Sequence, residues 1–180
     1  MALKATIFKV ELHISDMDKH YYQSHSLTLA RHPSETDLRM MVRLLAFAMN
    51  AHDQLEFTKG LSTQDEPDIW QKSLSDEIEH WIDLGNPDEK RIRQACGKAQ
   101  QVSIYNYAGN SADVWWQQTQ SKVSRFSNLS VFSIEGEALS QLEQFVDKTM
   151  SINITIQDSE LYVSSNLGQC TISIVKRYPN

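Results

Sequence analysis

Two cysteines, Cys96 and Cys170, are all that 180 residues contain. They lie in different segments, without a CxxC or a Cys/His ligand spacing, which argues against a disulfide framework and a thiolate zinc site; both read as reduced, buried thiols. No apolar run approaches the roughly 20 residues of a membrane helix. The start of the chain has no basic segment followed by an apolar stretch, so a cytoplasmic protein without leader or membrane contact is expected. The six histidines form no HxxxH or HExxH pair, which removes the helical zinc hydrolases. An excess of positive charge is also missing. The formal net charge of −6 argues against a protein that coats nucleic acid. It leaves room for a local basic groove, and Lys90, Arg91, Arg93 and Lys98 fall in one short segment, Lys122 and Arg125 in another. Such runs are also what an ordinary solvated helix face looks like. No repeat, low-complexity stretch or linker breaks the chain. With 41% hydrophobic residues, one domain over residues 1–180, monomeric, is the expectation.

What is present alternates between two periodicities. Phe8, Val10, Leu12 and Ile14 alternate with polar partners and predict a first strand, with Tyr21 to Ala30 returning as a hairpin. Ser34 caps a predicted helix to about Ala51, carrying Leu38, Met41, Val42, Leu45 and Met49 as one apolar stripe. Gln54 to Thr58 and Glu79 to Gly85 read as strands. Asn86-Pro87-Asp88-Glu89 starts a helix to about Gln100, and Val102 to Tyr107 follows as a strand, which together make a βαβ unit. A helix from Asn110 or Ser111, a strand over 130–134 and a helix from Glu137 to Met150 come next. The isoleucines at 152, 154 and 156, then Leu161 with Val163, then Ile172 with Ile174, predict a three-stranded meander. The fold class is therefore α/β to α+β.

The segment from Glu56 to Lys98 carries the chemistry. Asp83 sits inside a predicted strand between Ile82 and Leu84, where a carboxylate requires a cation, a metal or a proton as partner. Mg²⁺ takes oxygen ligands and uses one or two carboxylates with water and phosphate. Asp68 and Asp83 on neighbouring strands, with Glu56 as a further candidate ligand, fit that requirement for Mg²⁺ or Mn²⁺. The same positions have plainer readings: Asp68 after Pro67 is common turn composition, and a strand glutamate such as Glu56 is often solvent-facing. Trp70 and Trp81 read first as packing residues, with base stacking as the functional alternative. The Trp115-Trp116 pair hints at a contact surface.

Pro67-Asp68, with Asp83 on a strand fifteen residues later, resembles the PD-(D/E)XK nuclease motif. The lysine expected two residues after the second acid is Gly85 here. Some members of that superfamily recruit a lysine from the following helix, which makes Lys98 the candidate, with Lys72 and Lys59 behind it. Over almost the whole chain, LTLARHPSET, RMMVRLLAFA, EPDIW, WIDLG, PDEKRI and WWQQTQSK resemble the small bacterial YaeQ family. That resemblance implies a mixed-sheet PD-(D/E)XK variant with an added N-terminal hairpin and C-terminal meander, and no established activity. Two functions follow as expectations. One is metal-dependent phosphodiester hydrolysis by Asp68, Asp83 and Lys98; the other is a non-catalytic module that binds nucleic acid or protein.

Overall fold

The alternation at the start of the chain produces the strand it predicts. In the computed structural model, which describes residues 4–179 apart from the Ser62 side chain, β1 (Thr6–Asp16) buries Phe8, Val10, Leu12 and Ile14. It pairs antiparallel with β2 (Tyr21–Arg31), from Thr6↔Arg31 to Asp16↔Tyr21. Asp16 Oδ1 accepts from the N–H groups of Asp18 and Lys19 at 3.1 and 3.0 Å, which closes the turn between them. Helix α1 (Asp37–Met49) follows. Its cap is Thr36, which accepts from the Arg39 N–H at 3.1 Å; the expected cap, Ser34, is instead joined to His32 Nδ1 at 2.6 Å. The helix is buried all round from Met40 to Met49 instead of along one stripe. Arg43 therefore lies inside and requires a counter-charge. Glu35 provides it through two bonds of 2.7 and 3.0 Å and also accepts from Arg39 at 2.7 Å.

Strand β8 (Thr149–Gln157) runs parallel to β1, and β9 (Glu160–Ser165) and β10 (Gly168–Tyr178) complete the expected antiparallel meander. Ahead of it, the helix expected from Glu137 to Met150 is a run of 3₁₀ turns over Glu137–Phe145. Leu142 and Phe145, spaced by three, share its buried side, which suits the three-residue turn. Met150 joins the alternation of Ile152, Ile154 and Ile156 and is taken by the strand. The chain up to Asn50, together with Glu135–Ile174, forms one compact unit.

Ala51–Ile134 and the chain from Val175 onward form a second. Here β3 (Leu55–Phe57), β4 (Ile69–Lys72) and β5 (Ile78–Leu84) pair antiparallel in turn. Then β5, β6 (Ala99–Asn106) and β7 (Leu129–Glu135) run parallel, connected by α2 (Glu89–Lys98) and α3 (Asn110–Val123). Parallel neighbours need such crossovers, and the helices cover the sheet. Trp81, Val102 and Val131 lie on the covered face with Ile92, Ala95 and Val123 from the helices. Because side chains alternate along a strand, that same face carries Asp83 on β5, Asn106 at the end of β6 and Ser133 near the end of β7. The chain is thus a mixed α+β protein whose polar residues on this face gather at the carboxyl ends of the parallel strands.

Candidate functional site

Asp68 ends the loop before β4 and is 5% exposed. Its backbone is fixed on both sides: its N–H donates to Ile82 O at 3.1 Å, and its carbonyl accepts from the Thr58 N–H at 3.2 Å. Its Oδ2 accepts from the Leu84 N–H at 2.9 Å, so the carboxylate lies against the end of β5. Gly60 passes directly behind it, with φ +46°; a Cβ there would lie 3.0 Å from Asp68 Oδ1. A side chain there would be strained and its Cβ would press on the carboxylate.

Asp83 is 4% exposed, as an acid between Ile82 and Leu84 should be. Its partner is Arg91. The guanidinium donates through Nε to Oδ2 at 2.8 Å and through Nη2 to Oδ1 at 3.0 Å, a bidentate pair, while Trp81 Nε1 donates to Oδ2 at 3.1 Å. Burial pushes the Asp83 carboxyl above its ordinary pKa, against the hydrogen bonds and charge of Arg91; the Asp68 charge adds to the rise. Arg91 moves up as well, chiefly because its charged form donates to Asp83, so it stays a cation. The rest of the guanidinium is also engaged: Nη1 donates to Gln64 O at 3.0 Å and Nη2 to Glu66 O at 3.1 Å. One side chain thereby ties together β5, α2 and the loop before β4.

The sequence reasoning placed Arg91 on the polar flank of a helix and gave it no role at the site. Its signal was available: eight residues after Asp83, it lies in the first turn of α2, just past the cap. That cap is Asp88, whose Oδ1 accepts from the Arg91 N–H at 2.8 Å, and not Asn86. A first-turn side chain is held beside the end of the preceding strand.

The other expected residues are spread further. Lys98 closes the far end of α2 beside the start of β5, lining a cavity of about 500 Å³ with Asp76, Glu77 and Gly97. Its Nζ lies 6.0 Å from the Trp81 ring centre, and the Arg91 guanidinium 5.8 Å from the same ring. Glu56 is exposed and accepts from Trp70 Nε1 at 3.0 Å. Lys72 lies 4.1 Å over the Trp70 ring and pairs with Asp76 at 3.3 Å, and Lys59 is exposed. The structure thus brings Asp68 and Asp83 together, while Glu56 is bonded to Trp70 and Lys98 lies over the Trp81 ring. Gly85 has φ +93°, a region that L side chains avoid, and its N–H donates to Tyr105 O at 2.9 Å. The strand has ended where the motif lysine would stand in extended backbone.

Among the described residues no group of three His, Cys, Asp or Glu side chains is placed to hold a metal ion. Both Asp83 oxygens already accept N–H bonds from Arg91, so a cation there would share the carboxylate with a guanidinium that stays charged. Outside Arg91 lies a polar cavity of about 380 Å³ lined by Gln64, Asp65, Asp88, Lys90, Arg91 and Gln94. Lys90, Arg93, Lys98 and Arg125 are exposed on α2 and just after α3. Trp115 and Trp116 are half-buried against the core beneath the helices, with Trp115 Nε1 donating to Pro87 O at 2.7 Å. No helix of the described residues is long and apolar enough to cross a membrane.

Fold and site together define an α+β protein with two neighbouring buried carboxylates at the end of a parallel strand, one of them, Asp83, clasped by arginine. The YaeQ protein family model matches residues 1–174, and the chain belongs to that family. It is 48% identical over 174 residues to the uncharacterized protein YaeQ of Salmonella typhi and 44% identical to that of Escherichia coli K12, each match covering 97% of this chain and 96% of the relative. The crystal structure of YaeQ from Xanthomonas axonopodis pv. citri superposes with a TM-score of 0.94 at 43% identity, covering 98% of this chain and 99% of that one. YaeQ from Pseudomonas syringae gives 0.92 at 32% identity, covering 98% and 97%.

Proposed function

We propose that this chain is a phosphodiester-binding protein, with nucleic acid as partner, built on a PD-(D/E)XK-like scaffold whose hydrolytic centre is closed by arginine. The observation that carries this reading is the bidentate Arg91–Asp83 pair, which places a permanent cation where a nuclease would need an open carboxylate. Nucleic acid is favoured over a protein partner by the setting. The cavity outside Arg91 is polar and the α2 cations beside it are exposed, whereas Trp115 and Trp116 are absorbed into packing. Phosphate contacts supply sequence-independent affinity, and they weaken with salt. Fluorescence anisotropy with single- and double-stranded DNA and RNA tests this. Salt-dependent binding that weakens in Lys90→Glu/Arg93→Glu supports it, and salt-independent or absent binding refutes it.

A second reading keeps the chemistry: Mg²⁺ or Mn²⁺ held by Asp68 and Asp83, with Glu56 as a further ligand and Lys98 assisting attack of water on a phosphodiester. What favours it is the adjacency of Asp68 and Asp83, each charge opposing the other. Calorimetric titration with Mg²⁺ and Mn²⁺, beside Asp83→Asn, separates the two. Heat of binding that the variant loses supports the hydrolytic reading, and its absence supports the closed site.

A further inference from the structure

Strand β2 is the outermost strand of its sheet, with β1 as its one strand neighbour. The bonds around β1 fix which groups of β2 face outward. Lys9 N–H donates to Lys148 O at 2.9 Å and Met17 N–H to Ile156 O at 2.8 Å, so the odd-numbered residues of β1 bond toward β8 and the even-numbered ones toward β2. Val10 stands opposite Leu27 and Leu12 opposite His25. The odd-numbered residues of β2 therefore carry the ladder to β1, and Tyr22, Ser24, Ser26, Thr28 and Ala30 turn their N–H and C=O groups away from it. Arg43 Nη2 takes the Ala30 carbonyl at 3.2 Å. The outward backbone groups of the other four have no hydrogen bond among the described residues.

A long open edge is a template for another strand, and proteins usually blunt it with lysine, proline, a bulge or a covering element. The first three are missing from β2: Tyr21–Arg31 contains no lysine or proline and pairs with β1 residue for residue over all eleven positions. Tyr22, Gln23, Ser24, Ser26 and Thr28 are exposed, Tyr22 to 56%. The strand carries no acid, and its arginine, Arg31, is paired with Asp37, so a second strand meets no fixed charge along the open stretch. That stretch is bounded on both sides. Ala30 is engaged by Arg43, and His20, in the turn before β2, has φ +54°. What lies between, Tyr22 to Thr28, is centred on His25.

We propose that the outer edge of β2 pairs antiparallel with the same edge of a second copy of this chain, about a two-fold axis at His25. In that register Tyr22 meets the partner's Thr28 and Ser24 meets the partner's Ser26, so each of the four open residues exchanges both of its backbone bonds. A shift of two residues one way sets Tyr22 opposite Ala30, whose carbonyl Arg43 holds; a shift the other way sets Thr28 opposite His20, outside the strand. The open groups are thus symmetric about one residue. A two-fold contact, which uses the same surface on both copies, satisfies all of them, and this favours a second copy over an unrelated strand. Tyr22 against Thr28 is an aromatic–β-branched pair, a kind that stabilises a ladder. The inference does not depend on the Arg91 reading, and its test involves neither Asp83 nor nucleic acid.

The test is sedimentation velocity of the full chain over a concentration series. The wild type should pass from monomer to dimer as concentration rises. Ser24→Pro removes an outward N–H and no bond to β1, so the ladder to β1 stays, and the dimer should weaken at least about tenfold for the two bonds lost. His25→Cys sets two thiols opposite each other on the axis, with Cα atoms about 4.5 Å apart and within disulfide reach. Under mild oxidation the two introduced thiols should join, as located by peptide mass, and those of Gln23→Cys, which face the partner's Leu27, should not. A wild type that stays monomeric up to about 1 mM overturns the proposal. So does a dimer that folded Ser24→Pro leaves equally tight, or crosslinking that does not distinguish His25→Cys from Gln23→Cys. The cysteine variants keep the test decisive even if Ser24→Pro does not fold.

Discussion

Replacing Arg91 with alanine removes the only side-chain cation bonded to Asp83 among the described residues, and the cost follows from the exposure of each partner. Breaking a fully buried pair by removing one member costs about 3–5 kcal/mol. Here the Asp83 side chain is 6% exposed and that of Arg91 28%, so water reaches the arginine end. The expected loss is therefore lower, about 2–3 kcal/mol at pH 7, or roughly 5–10 °C in Tm for a chain of this size. The loss has a ceiling because Asp83 can take up a proton. Its folded pKa is already raised by burial, and without Arg91 it rises further. A carboxyl with a raised folded pKa contributes stability that is present at low pH and lost as pH rises through that value. The gap between wild type and Arg91→Ala should therefore be wider at pH 7 than at pH 5. Adding Asp83→Asn should restore part of the loss at pH 7, because no buried charge then remains unpaired. Urea denaturation of the four proteins of this cycle at both pH values measures the coupling. A coupling below about 0.3 kcal/mol, the scatter of independent sites, or a gap that does not narrow at pH 5, would refute the clamp.

Gly85→Lys supplies the lysine that the proposed nuclease-like reading lacks, but into a backbone at φ +93°, so it should lose about 1–2 kcal/mol in denaturant melts and gain no cleavage of labelled DNA. Glu35→Gln leaves the buried Arg43 without its counter-charge and should cost about 3 kcal/mol by the same assay; a loss under about 1 kcal/mol would mean that Arg43 is satisfied otherwise. Burial pushes the Cys96 thiol up to about 11, so its alkylation by iodoacetamide at pH 8, followed by intact mass, should be far slower than that of a free thiol and should accelerate steeply toward pH 11.

The parts of the fold that follow one periodicity were legible in the sequence. The β1–β2 hairpin, the βαβ unit through α2 and the final meander each repeat one pattern for long enough to declare themselves. Where two patterns overlapped, packing decided. Glu137–Phe145 carries helical spacing but turns in 3₁₀, and Met150 follows the strand. At the site, Asp83 was legible because a carboxylate inside an apolar strand must have a partner. The partner's identity was not. Lysine chemistry pointed along α2 to Lys98, whereas the geometry of a strand followed by a capped helix puts the first turn, and so Arg91, beside the acid. The Asn106–Ser133–Arg177 chain joins three strands far apart in sequence, and no local pattern announces it.

The most direct test of the closed site is prolonged incubation of 5′-labelled single- and double-stranded DNA and RNA with the wild-type protein, Asp83→Asn and Arg91→Ala, in Mg²⁺ and in Mn²⁺. The account predicts strands that stay full length with all three proteins while binding remains salt-dependent. Cleavage by the wild type that Asp83→Asn abolishes would contradict it.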